Sequence, residues 1–197
     1  NTSYDGMGGF DIMVMTNAGD ALFIDDGNGN QVFNNIELIS AGDGGDVIDL
    51  SSTTLFVNNG VTIAGGLGDD ILWGNIQADT ISGADGNDIL DGGPGNDNLN
   101  GENDNDYLAG GDGDDILNGG AGDDYLTGDS GNDTYVFSGA NFGNDTITEA
   151  SSSDINTIQF QNAVTQGDLS FSFSGDDLII TAGAFGTITI DGQYAAA

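Results

Sequence analysis

From Gly65 to Val136 the sequence repeats every nine residues without a break, and so short a period restricts the fold more than any other property of the chain. The eight units begin at Gly65, Gly74, Gly83, Gly92, Gly101, Gly110, Gly119 and Gly128. Each approximates G-G-x-G-x-D-x-U-x, with U apolar. The sixth position is aspartate throughout: Asp70, Asp79, Asp88, Asp97, Asp106, Asp115, Asp124 and Asp133. The eighth is Leu72, Ile81, Leu90, Leu99, Leu108, Leu117, Leu126 and Tyr135. Two units depart at the fourth position, where Gln77 and Asp104 replace a loop glycine. An outlying copy, Ala41 to Asp49, carries Asp46 and Ile48, and residues 56–64 form a degenerate copy with Ile63 and no aspartate. About six residues, Leu50 to Leu55, are inserted between them.

A nine-residue unit has room for one short strand and one turn. The last three residues read as strand, with the eighth side chain inward. The first six read as a turn, where glycines open backbone angles closed to other residues. Two units then complete one coil with a strand on each side, and residues 18 apart stack. The fold predicted is all-β, a parallel β-roll whose adjacent strands lie about 4.8 Å apart. Stacking puts Asp70, Asp88, Asp106 and Asp124 along one edge and Asp79, Asp97, Asp115 and Asp133 along the other.

These carboxylates have no partner within the chain. There are 33 Asp and Glu residues and no Lys, Arg or His, giving a formal charge of −33. A cation midway between two stacked turns would lie about 2.4 Å from each along the stacking direction, which suits a Ca–O bond. Loop carbonyls would complete the shell, and calcium accepts such sites more readily than magnesium. Three gaps per edge give about six calcium sites in the unbroken block, at two aspartates each. Eight inward side chains cannot offset the entropy of ordering 72 residues. Folding is therefore expected to be coupled to calcium.

The same charge excludes nucleic acid as a partner, since phosphate binding needs Lys and Arg, and disfavours anionic membranes. With no Cys either, disulfides and thiolate metal sites are absent. No apolar run approaches a membrane span, so membrane insertion is not expected. Without His, Cys, Lys or Arg most acid–base and nucleophilic schemes are closed, and no enzyme is expected. A paired-carboxylate glycosidase is chemically possible. However, Glu37, Glu102 and Glu149 are the only glutamates, and each reads as a solvated surface group. The chain opens on Asn1 rather than Met, and is read as part of a longer protein.

Three regions follow: an N-terminal β flank over 1–40, a calcium-binding β-roll over 41–136 (unbroken over 65–136), and a C-terminal β cap over 137–197. In the flank, Ile12 to Met15, Leu22 to Ile24 and Ile36 to Ile39 are separated by Gly, Asn and Asp turns. Asp25 to Asn30 reads as a polar turn, lacking the flanking helices and closing Glu of a helix–loop–helix calcium site. In the cap, Leu169, Phe171 and Phe173 alternate with Ser170 and Ser172. Leu178 to Thr181 and Thr187 to Ile190 follow, predicting antiparallel strands. Asp145 and Asp154 are candidate ligands at the end of the roll.

The nonapeptides resemble the repeats-in-toxin (RTX) family of haemolysin-type calcium-binding repeats over 65–136, and more loosely over 41–49. The resemblance implies a right-handed parallel β-roll in a bacterial protein exported by type I secretion. Such a chain stays unfolded in the low-calcium cytosol and folds outside the cell. It also implies a ligand set: the eight sixth-position aspartates, Asp46 as an addition, and carbonyls of turn positions such as Gly68, Gly86, Gly95, Gly113, Gly122 and Gly131. Phe137 to Phe160 resembles the end cap of such rolls. Phe10 to Leu50 resembles a segment that precedes the repeats in very large bacterial surface adhesins. The family's secretion signal lies at the extreme C-terminus of the parent chain and is not identified here.

The expected role is a secreted, calcium-triggered structural and secretion element attached to the remaining domains of a larger exoprotein or adhesin. The alternative is an extracellular binding module for a cell-surface or protein partner. Seventh-position side chains point outward, and Ile71, Ile89, Tyr107 and Tyr125 form a ladder with Trp73 beside it. Packing of this stripe against the β cap or a neighbouring domain is expected. The opposite face carries Thr80, Asn98, Ile116 and Thr134, and Ile116 interrupts the regular ladder an ice-binding face would need. Composition also sets a simple check. Trypsin, with no Lys or Arg to cut after, leaves even the unfolded chain intact in gel electrophoresis.

Overall fold

The structure, a computed structural model, describes residues 12–14, 21–23, 38–51, 60–139, 141–149, 154–161 and 164–192. Asp25 to Asn30 and Glu37 lie outside the described residues. The strands run in chain order. Before the unbroken repeats come β1 (Ile12–Val14), β2 (Ala21–Phe23), β3 (Leu38–Asp43) and β4 (Val47–Asp49). Across the repeats follow β5 (Thr62–Leu67), β6 (Ile71–Trp73), β7 (Thr80–Asp85), β8 (Ile89–Pro94) and β9 (Asn98–Asn103). They continue as β10 (Tyr107–Asp112), β11 (Ile116–Ala121), β12 (Tyr125–Ser130) and β13 (Thr134–Phe137). Beyond them lie β14 (Gly143–Thr148), β15 (Thr157–Phe160), β16 (Leu169–Ser174), β17 (Asp177–Ala182) and β18 (Gly186–Ile190). A three-residue 3-10 turn, Gln166–Asp168, is the one helical element among the described residues.

Strands alternate between two sheets. One is ordered β1-β3-β5-β7-β9-β11-β13-β15. The other is ordered β16-β17-β18-β14-β12-β10-β8-β6-β4-β2. Neighbours in the repeat block are parallel and offset by two units, as in Tyr107↔Tyr125 and Ile116↔Thr134. This is the parallel β-roll that the nine-residue period predicts.

The period sets the core. Leu72, Ile81, Leu90, Leu99, Leu108, Leu117 and Leu126 are fully buried, and Tyr135 nearly so. Ile48 and Ile63 extend the same column, and Ile39 is 1 % exposed. The inserted residues appear as a wider offset, Leu38↔Thr62 and Val47↔Ile71, with β3 and β4 still in register. The ladder keeps its register because only strand residues pair.

Strands in the block are longer than the period suggests. Apart from β6 and β13 they run six residues, from the seventh position of one unit to the third of the next. Only positions four to six turn. The reason is burial: the strand pattern alternates outward and inward, so both the eighth residue and the next unit's first glycine face the interior.

Parallel coils continue on both sides of 65–136. The pairs β1–β3 and β2–β4 are parallel, as are β12–β14 and β13–β15. The antiparallel pairing expected of the C-terminal segment occurs in β16–β17 and β17–β18, with β18 added in parallel to β14. These strands prolong one sheet at its edge, in its own plane. They therefore do not cover the Ile–Tyr ladder, so of the two packings expected for it the one against the cap does not occur: Ile89, Tyr107 and Tyr125 are 42 %, 42 % and 37 % exposed. The Tyr107 and Tyr125 rings stack on each other at 5.1 Å.

A column of single inward side chains has no neighbour that can refill a gap. Leu108→Ala, in calcium, is expected to lower stability by about 2–5 kcal/mol. The exposed Thr80→Ser is expected to stay within about 0.5 kcal/mol. Urea unfolding followed by circular dichroism measures both.

Candidate metal centre

First-position glycines and sixth-position aspartates occupy one space. A methyl group placed on Gly101 would overlap Oδ2 of Asp106, and the same holds for Gly119 with Asp124 and Gly128 with Asp133. The glycine is thus needed for room, which the carboxylate then fills. Fourth-position glycines are needed for a different reason: Gly68, Gly86, Gly95, Gly113, Gly122 and Gly131 all have positive φ. Asp104 adopts the same region at φ 72°, so that departure from the repeat keeps the turn's shape.

Every predicted sixth-position aspartate is buried, none more than 3 % exposed, and Asp46 and Asp145 are buried with them. Each carboxylate reaches to the preceding coil. On one edge Oδ1 of Asp70, Asp88, Asp106, Asp124 and Asp145 accepts the backbone N–H of Asp46, Asp70, Asp88, Asp106 and Asp124, at 2.7–3.0 Å. On the other, Asp79, Asp97, Asp115 and Asp133 accept from Val61, Asp79, Asp97 and Asp115 at 2.7–2.9 Å. The structure therefore brings Asp145 into line as the last carboxylate of its edge. Asp154 stands beside the other edge, where its Oδ2 accepts the Gly131 N–H at 3.2 Å. The ladder position there belongs to Asn156, whose Oδ1 accepts the Asp133 N–H at 2.8 Å. Sequence reading missed Asn156, since an interval of 23 residues breaks the period.

A second, exposed ladder runs outside the first and was also missed. Fifth-position residues Asp69, Asn87, Asn105 and Asp123 each accept the backbone N–H of the next residue in a line that ends at Asn144, at 2.7–3.3 Å. Asn96, Asp114 and Asn132 do the same on the other edge. Seven of the eight units carry Asp or Asn at this position, which is the signal that could have revealed it. Glu149 is likewise no solvated group. It is half-buried at the end of the roll, hydrogen-bonded to the Tyr135 hydroxyl, which also accepts the Gly128 N–H at 2.6 Å.

The inner ladder is electrostatically incomplete. Oδ2 of Asp70, Asp88, Asp97, Asp106, Asp115, Asp124 and Asp133 is buried with no hydrogen-bond partner. Buried unpartnered carboxylate oxygens are costly, and the chain has no basic side chain to offset them. Backbone oxygens also lie between successive coils. A side chain on Gly86, Gly113, Gly122 or Gly131 would overlap the carbonyl of Gly68, Gly95, Asp104 or Gly113 in the coil before. Among the described residues no three acidic side chains gather into a cluster. A cation here would be held by stacked carboxylates plus carbonyls, an all-oxygen set that fits calcium.

Burial pushes Asp70 and Asp97 up to about 7, Asp106 and Asp145 to about 8, and Asp79, Asp115 and Asp124 to about 6. Asp88 and Asp133 are raised for the same reason. Hydrogen bonds from Asn87 and Asn132 instead hold the exposed Asp69 and Asp114 below the ordinary range.

The buried groups titrate near 3.9 in an unfolded chain, so the cation-free roll binds more protons than the unfolded state between about pH 4 and pH 8. Its stability is greatest below about pH 4 and is lost as pH rises through the folded pKa values of about 6 to 8. In chelator, lowering the pH from 8.5 to 5 is expected to increase the β signal in far-UV circular dichroism. In calcium the same change is expected to weaken the metal's effect, since the ligating carboxylates must be deprotonated. A β signal that falls on acidification in chelator would contradict this ladder.

The match to a family model agrees with the geometry. The family model described as RTX calcium-binding nonapeptide repeat (4 copies) matches residues 64–99, 73–108 and 100–135. No curated protein gives a significant match. Among solved structures, extracellular lipase LipA from Serratia marcescens is similar at 17 % identity and a TM-score of 0.29. The alignment covers 85 % of this chain and 42 % of the lipase chain, so this chain spans less than half of that protein's length. Residues 64–135 thus match the RTX haemolysin-type calcium-binding repeats over the stretch where the aspartate ladders are unbroken.

Proposed function

We propose that this chain is a secreted bacterial module that folds on binding calcium after type I secretion and serves as a structural and secretion element of a larger exoprotein or adhesin. One observation carries the reading: seven buried Oδ2 atoms without a partner, in a chain without a single basic side chain. Asp70, Asp88, Asp97, Asp106, Asp115, Asp124 and Asp133 would hold the ions, with Asp46 and Asp145 extending one edge and Asp154 beside the end of the other. Carbonyls of the fourth-position turn residues would supply further oxygens. Bound calcium supplies positive charge at these oxygens and nothing else the chain could provide. The low-calcium chain keeps its carboxylates in water, where they repel one another, and remains unfolded and exportable.

Catalysis is assigned to other parts of the parent protein, because the chain lacks His, Cys, Lys and Arg. A second reading, an extracellular binding module, draws on the exposure of Ile89, Tyr107, Tyr125 and Trp73 along one face. That stripe would dock another domain of the same exoprotein or a partner at the cell surface.

Calcium titration of the EDTA-stripped protein tests the first reading, with far-UV circular dichroism and Trp73 fluorescence as readouts. A cooperative coil-to-β transition at about millimolar calcium or below, absent with magnesium, is expected. A chain already folded without metal at neutral pH would overturn it.

A further inference from the structure

The turn Gly74–Asp79 is built unlike the others. Both oxygens of Asp79 are already engaged. Oδ2 accepts the Asn75 backbone N–H at 2.6 Å. Oδ1 accepts the Val61 N–H at 2.7 Å and the Asn75 side-chain amide at 3.1 Å. Asn75 is 2 % exposed, so its amide stands inside the roll. Its own Oδ1 accepts the Gln77 N–H at 2.8 Å, which closes the turn on itself.

Backbone conformation explains the switch. In the other units of the block the second position has positive φ, even where it is Ala84, Glu102 or Asp129. Asn75 and Gln77 do not adopt positive φ. The strand before them, β6, stops at Trp73, whereas β8 and β10 run on into the following unit. An N–H therefore points at the carboxylate where the other units leave Oδ2 unpartnered. The Gln77 carbonyl also stands back: a side chain on Gly95 would meet it at 2.6 Å, the longest such fourth-position approach between two units of the block.

We propose that Asn75 takes Asp79 out of the cation ladder and leaves the gap between Asp79 and Asp97 with the Asp97 carboxylate alone, so that the block 65–136 binds about five calcium ions rather than about six. This rests on the calcium reading above. The amides of Asn75 supply donor groups to the two oxygens that a metal would otherwise take, and its side chain fills the interior of the turn. The 74–79 turn is thereby held without metal, inside a roll that otherwise depends on it.

Calcium bound per chain is measured on the full chain by equilibrium dialysis with elemental analysis at saturating calcium. Circular dichroism checks that each variant folds. The variant Asn75→Gly/Gln77→Gly is expected to bind one calcium more than the parent. Asp79→Asn is expected to bind the same number as the parent, and Asp115→Asn at least one fewer. A folded double variant with the parent's count would overturn the proposal, as would Asp79→Asn losing as many ions as Asp115→Asn. If the double variant does not fold, the Asp79→Asn comparison decides alone. A parent that binds no calcium would instead overturn the calcium reading itself.

Discussion

The roll depends on one repeated hydrogen bond: a buried aspartate Oδ1 accepting the backbone N–H of the ladder residue one coil before it. This bond ties each turn to the last and draws the carboxylate into the interior, where the first-position glycine leaves it space. It also creates the central problem of the fold, because a carboxylate has two oxygens and the backbone satisfies one. The other is left buried without a partner in seven rungs. A chain with basic residues could resolve this internally; this one has none. Positive charge at these oxygens must therefore come from a proton or a metal.

The two aspartate ladders show how burial sets the role of one side chain. Asp69 and Asp114 lie outside, accept hydrogen bonds from asparagine, and hold their charge at ordinary pH. Asp106 and Asp145, one residue position inward, are desolvated, which pushes them up to about 8 in the cation-free roll. Asparagine recurs wherever the roll needs a donor or a neutral acceptor. It is interspersed with aspartate along the outer ladder, ends one inner edge at Asn156, and satisfies Asp79 from within at Asn75.

The ends of the roll follow from the same rule that builds its middle. From β1 to β15 each strand pairs with the strand two elements away, and the wider offsets before β5 and beyond β13 leave the register intact. The parallel run ends where the strand edge is taken over by β18 and the hairpin of β16 and β17. Phe137, Phe142 and Phe160 pack together there and close the core.

The nine-residue period determined the parallel coils, the eighth-position core and the two edges of aspartate, because those depend only on which residues lie 18 apart. Composition determined that the aspartates need a partner from outside the chain. What the period could not decide was which way each group turns within a coil. It did not reveal that strands extend over six residues, because the inward role of first-position glycines shows only once Asp Oδ2 is seen in the space beside them. Asn156 replaces Asp154 in the ladder, and Glu149 meets Tyr135, through offsets that no repeat encodes. Asn75 differs from a loop glycine by one side chain in the sequence, yet its backbone angles turn an N–H toward Asp79. Stacking partners are a property of spacing along the chain, whereas the direction of a hydrogen bond is a property of local backbone conformation, and only the folded structure fixes it.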